Sequence, residues 1–98
     1  MKKKRKFNEF MDKLIEKLKE EQRYSTAHIY QSALNAFCEF CGGQAVYFHQ
    51  LNRANLKSFE AHLRNKPLSW NTVSTYMRML RVAYNKAVEK KIVVENPL

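Results

Sequence analysis

The sequence predicts an all-α fold, a compact bundle of four main helices. Three observations predict it. The 98 residues include only two Gly and two Pro, so the chain has few of the breaks that separate short strands. Apolar residues make up 45% and aromatic residues 12%, enough for a dense core and against disorder. Apolar side chains also recur at spacings of three and four in four separate segments, which is the pattern of a helix with one buried stripe. The length is that of one domain.

The first segment opens at Phe7 and carries Phe10, Met11, Leu14, Ile15 and Leu18 on one side. Glu, Asp and Lys fill the rest, the mixed-sign surface of an ordinary solvated helix. Before it lies "MKKKRK", residues 1–6, a basic tail able to lie on phosphates or to remain solvated. The second helix is expected to start at Ser25 or Thr26, either of which can act as N-cap. Its stripe reads Ile29, Tyr30, Ala33, Leu34, Phe37, Phe40 and Cys41, and Gly42-Gly43 ends it.

"QAVYFHQLN" connects to the third helix, where Leu51-Asn52 reads as a hydrophobic staple residue and an N-cap. Leu56, Phe59 and Leu63 form its buried face, with Ala54 beside them, and it stops around Arg64–Lys66, before Pro67. The fourth helix is capped by Ser69 and buries Val73, Tyr76, Met77, Leu80, Tyr84, Ala87 and Val88. The domain thus spans residues 7–91. "KKIVVENPL" leaves it, with Ile92 and Val93 expected to fold back onto the core and residues 92–98 reading as the start of a linker.

Eighteen Lys and Arg stand against nine Asp and Glu, a formal charge of +9. Residues 1–21 hold eight basic and five acidic groups, and residues 22–98 hold ten and four. The surplus therefore belongs mostly to the folded body, which favours an anionic partner, nucleic acid ahead of a membrane surface. No apolar run approaches the ~18 residues of a membrane span, and no secretory leader pattern opens the chain. Cys38 and Cys41 form one C-x-x-C. His28, His49 and His62 lack metal-ligand spacing around it, so the pair reads as small hydrophobes of a reduced, intracellular protein, with no metal and no cofactor expected.

Two helices carry polar faces of an unusual kind. The fourth shows Asn71, Ser74, Thr75 and Arg78 outward, and no carboxylate follows until Glu89. Its first turn adds Ser69 and Thr72. The second shows Ser25, Thr26, His28 and Ser32, preceded by Arg23. Side chains of these types hydrogen-bond base edges in the major groove of double-stranded DNA, and a helix N-terminus offers N–H groups and partial positive charge to phosphate. The alternative for each residue is an ordinary cap or solvated position. Trp70 either packs over the helix start, the preferred reading, or stacks near the sugar-phosphate backbone. The two helices also share a short echo, Thr26-x-x-x-Tyr30-x-x-x-Leu34 and Thr72-x-x-x-Tyr76-x-x-x-Leu80, which places Tyr and Leu on one side of each. No H-E-x-x-H, G-x-S-x-G or glycine-rich phosphate loop is present.

Read in order, "RYSTAHIYQSALNAFCEFCGG", "LNRANLKSFEAHL", "LSWNTVSTYMRMLRVAYNKAV" and "KKIVVENPL" resemble the core-binding domain of tyrosine recombinases, the phage-integrase family, over about Phe7–Leu98. The resemblance implies a sterile-alpha-motif-like (SAM-like) helical fold. It implies a DNA clamp in which the second and fourth helices lie in the major groove beside the cleavage point. By resemblance, Thr26, His28 and Ser32 match groove- or phosphate-facing places, as do Asn71, Thr72 and Thr75, with Arg78 one turn on. Trp70 departs from the family, which often has Pro there, and His28 is a weaker cation than Lys at neutral pH.

The family's chemistry lies in a C-terminal domain with an Arg, a Lys, a His-x-x-Arg and a nucleophilic Tyr. Here Gln31, Asn52 and Asn65 follow the three histidines at that spacing, so this chain is not expected to be an enzyme by itself. The implied partners are double-stranded DNA, the catalytic domain of the same parent chain and other protomers of a synaptic tetramer, in a bacterial or mobile-element cytoplasmic setting. Two other readings fit the pattern: a helical protein-interaction domain of a recombination complex, and a small DNA-binding regulator.

Overall fold

The computed structural model describes residues 6–43 and 45–91. The expectations for the tail at 1–5 and for the linker at 92–98 lie outside the described residues. Four helices, α1 (Phe7–Glu20), α2 (Tyr24–Phe40), α3 (Arg53–Arg64) and α4 (Trp70–Glu89), form the all-α bundle, with a 3-10 turn at Phe48–Gln50. α2 packs on α1 and on α4, and α3 lies against α4 and more lightly against α2. One continuous core gathers residues of all four helices and of the connector, as expected when each helix has a single apolar stripe.

Each helix end has a physical stop. α2 ends in a Schellman turn: Gly43 N–H donates to Cys38 O at 2.7 Å and Gly42 N–H to Glu39 O at 3.1 Å. Gly42 needs φ +104° there, a conformation that costs glycine little. α1 closes in the same way, with Gln22 N–H donating to Lys19 O at 3.0 Å and Arg23 N–H to Leu18 O at 2.8 Å. The left-handed position is filled by Gln22 at φ 61°, without glycine's freedom. α3 and α4 start as expected: Asn52 accepts from Asn55 N–H at 2.9 Å, and Ser69 accepts from Thr72 N–H at 3.1 Å.

Several expectations are corrected. α2 begins at Tyr24 with Arg23 in the cap position and no side-chain cap bond, so Ser25 and Thr26 lie inside its first turn. The reason is the tight turn before it: Arg23 N–H closes α1 while Arg23 O already accepts Ala27 N–H at 3.0 Å. Ile29 is 36% exposed because it lies ~100° around the helix from Tyr30, off a stripe centred on Ala27, Tyr30, Ala33, Leu34 and Phe37. Phe10, Leu14, Phe40, Cys41, Tyr76 and Val88 pack on the core while half-buried, and Ala54 is exposed.

The connector is more structured than its sequence suggests. Val46 O accepts Phe7 N–H at 2.6 Å, and Asn8 Oδ1 accepts Val46 N–H at 3.0 Å. These bonds tie the start of α1 to the chain that follows α2, and satisfy a helix N-terminus that has no side-chain cap of its own. Phe48 then fills the core, edge-on to Phe7 with centroids 5.5 Å apart and to Tyr84 at 5.9 Å.

Candidate nucleic-acid interface

α2 and α4 pack directly on each other, so the two helices singled out in the sequence are neighbours in the bundle. None of the nominated residues is buried. Arg23, Ser25, His28, Ser69, Asn71 and Arg78 are exposed, and Thr26, Ser32, Thr72, Ser74 and Thr75 are half-buried along the flanks of their helices. On α4 the exposed positions from Asn71 through Arg78 to Asn85 carry no carboxylate. On α2 the outward row of His28, Ser32 and Asn35 runs into Glu39, which is paired with Lys66 of the α3–α4 connection at 3.2 Å.

The two helix starts differ in how their hydroxyls are used. Ser69 Oγ accepts Thr72 N–H and shares a second bond with Thr72 Oγ1 at 2.9 Å. Those two side chains are already engaged in capping and offer only their remaining lone pairs or proton. Ser25 and Thr26 have no such bond among the described residues, and both lie in a first turn without acidic residues. Their hydroxyls are available to an external acceptor, next to the positive end of the α2 dipole.

Trp70 does not pack over the helix start. It is 57% exposed, with the Arg64 guanidinium 4.3 Å from its ring centroid, a cation–π contact made across the α3–α4 connection. Sequence reading also missed a row of cations next to Arg78. Arg81 lies one turn further along α4, and Arg53 and Lys57 face the same hollow from α3. The signal was legible as i, i+3 and i, i+4 spacing on two helices. What was missing was the knowledge that α3 and α4 lie side by side.

Burial pushes the Cys38 thiol up from its ordinary value, with a smaller push from Asp12. It pushes the Cys41 thiol up as well, with Cys38 adding to it. Both are free and half-buried, which suits packing rather than reactivity. Among the described residues no cluster of three or more His, Cys, Asp or Glu could hold a metal, and no helix is long and apolar enough to cross a membrane.

A search of curated proteins and one of solved structures gave no match. Among protein-family profiles, the phage integrase SAM-like domain matches residues 6–98, nearly the whole chain and all four helices. That domain is the non-catalytic N-terminal part of tyrosine recombinases. The helical architecture and the profile agree along the same stretch, and the chain belongs to the phage integrase SAM-like domain family.

Proposed function

We propose that this chain is the DNA-binding module of a site-specific tyrosine recombinase, gripping duplex DNA beside the cleavage point through α2 and α4. The observation that carries the proposal is the outward face of α4, which has hydrogen-bonding side chains, an exposed Arg78 and no carboxylate before Glu89. A duplex repels carboxylates along any face laid against its phosphates, and it rewards Asn, Ser, Thr and Arg at base edges. α2 lies beside α4 and contributes Arg23, Ser25, Thr26, His28 and Ser32. The chain brings no catalytic set. Cleavage and rejoining through a tyrosine-phosphate intermediate would belong to the catalytic domain of the parent protein, and other protomers would complete the synaptic assembly.

The test is an amide chemical-shift titration with a generic duplex at low and at high salt. The proposal expects shifts clustered at Arg23–Ser32 and Ser69–Arg78 that fade as salt rises. Arg78→Ala should weaken binding and lower the slope of log affinity against log salt by about 0.9, the share of one phosphate contact. If nothing moves, or only Lys2–Lys6 move, or the response ignores salt, the α2–α4 grip is wrong and a protein-contact role takes its place.

A further inference from the structure

The face of the bundle where α3 meets α4 shares Ser74 and Arg78 with the candidate duplex surface and adds residues that the duplex grip does not use. Two adjoining hollows of about 250 and about 280 Å³ share Glu60, Met77 and Arg81, and together they make one groove between the helices. Arg53 and Lys57 line it from α3, and Arg78 and Arg81 from α4. All four are exposed, and no ion pair engages any of them among the described residues. Glu60 is the one carboxylate among the groove's lining residues.

Trp70 stands at one end of the groove, with Ser74 beside it. Arg64 covers one face of the indole at 4.3 Å, and the ring makes no other aromatic or cationic contact among the described residues. Along α4 the distance from Trp70 to Arg81 is about 16 Å, at 1.5 Å per residue. That is room for about two or three nucleotides of an extended strand.

We propose that this α3–α4 groove binds single-stranded nucleic acid, with a base stacked on the open face of Trp70 and phosphates held by Arg53, Lys57 and Arg81. A cationic groove that tracks the backbone, with an aromatic platform for bases, is how proteins hold unpaired strands. Bases of an intact duplex are stacked on one another and cannot present a face to Trp70. An acidic amphipathic peptide fits less well. The groove floor, Leu56 and Met77, is only 2% and 5% exposed, and half-buried Val82 is the one further aliphatic lining residue, so apolar sockets for a peptide's anchoring side chains are few. The proposal rests on Arg53, Lys57 and Arg81, which the α2–α4 grip does not use, while Ser74 and Arg78 border both surfaces.

Trp70 is the single tryptophan of the chain, so its fluorescence reports the event directly. The 98-residue chain is titrated with an oligothymidylate of about 12 nucleotides, a hairpin-closed duplex and an oligoglutamate peptide, at two salt concentrations. The expected result is quenching of Trp70 by the oligothymidylate. Replacing both α3 cations, Arg53→Gln with Lys57→Gln, should weaken strand binding roughly tenfold and lower its salt slope by about 1.4, the share of two single-strand phosphates. Duplex affinity, read by anisotropy, should change by less than about threefold, since neither residue faces the duplex. Strand binding without duplex binding in the unsubstituted chain leaves this groove standing and removes the α2–α4 reading. Duplex binding without strand binding does the reverse. The proposal is also overturned if the double substitution weakens both ligands alike, or if the oligoglutamate quenches Trp70 and the oligothymidylate does not.

Discussion

The first turns of α2 and α4 carry the same short pattern and are built differently. Thr26, Tyr30 and Leu34 correspond to Thr72, Tyr76 and Leu80, and each helix buries the residue after its Thr, Ala27 and Val73, at 1% exposure. Yet α4 begins where its own sequence says, because the Ser69 hydroxyl accepts the Thr72 N–H. α2 begins at Tyr24 because the end of α1 leaves Arg23 N–H and O pointing into two successive helices, with no side-chain cap. One start is fixed by a local hydrogen bond and the other by the neighbouring helix. The difference reaches the candidate interface. Capping occupies the hydroxyls of α4's first turn, whereas those of Ser25 and Thr26 have no partner among the described residues.

The largest expected effect tests what the two helices share. Leu80 is 0% exposed and Leu34 3%. Either one changed to Ala should cost about 3 kcal/mol through lost burial and a residual cavity, measured by urea unfolding. A loss below 1 kcal/mol at one of them would show that only the other echo residue is a core anchor. The next effect separates the caps. Ser69→Ala should cost about 1 kcal/mol, while Ser25→Ala should leave stability within about 0.5 kcal/mol. Equal losses would mean that Ser25 caps α2 after all.

A smaller gain is expected at the turn that sets α2's start. Gln22→Gly removes the left-handed strain of a non-glycine residue at φ 61° and adds the entropy of a freer unfolded chain. The net is a stabilisation of about 0.5 kcal/mol, and a destabilised variant would show that the Gln22 side chain holds the turn.

The smallest effect near neutrality is one of pH. Burial raises the Cys38 and Cys41 thiols above the ordinary 9.0. It also raises the Tyr30 phenol above 10.0, with the Arg23 charge offsetting part of that rise. Groups that hold their protons more tightly when folded favour the native state fully below their unfolded values, and the benefit disappears as pH rises through the folded ones. Stability should therefore be insensitive to these groups between about pH 7 and 8 and decline above about pH 9. Cys38→Ala with Cys41→Ala should remove the earlier part of the decline, and an unchanged alkaline profile would show that these thiols do not carry it.

Much of this molecule was legible in its sequence, for a reason visible residue by residue. Met11, Ile15 and Leu18, Leu56, Phe59 and Leu63, and Met77, Leu80 and Tyr84 sit at helical spacing, and all are buried. Asn52 and Ser69 act through bonds to a backbone N–H three residues on, so neighbours in sequence suffice to find them. The glycine pair after α2 is needed for the same local reason. Residues at the edge of a stripe were misread. Ile29 is apolar and adjacent to Tyr30, but periodicity gives a face only to within about one residue, and the neighbouring helices decide how wide that face is.

The sequence by itself determined four helices, three of their four starts to the residue, the stops of α2 and α3, the centre of each buried stripe and the excess of positive charge. These depend on 3.6-residue periodicity and on bonds between near neighbours. Only the tertiary structure decided where α2 begins, that Val46 and Asn8 tie the connector to α1, and that Trp70 stands in solvent under Arg64. It also decided that Arg53 and Lys57 share a groove with Arg78 and Arg81. Each of these joins residues on different helices or loops, and no local rule gives the angle at which two helices pack.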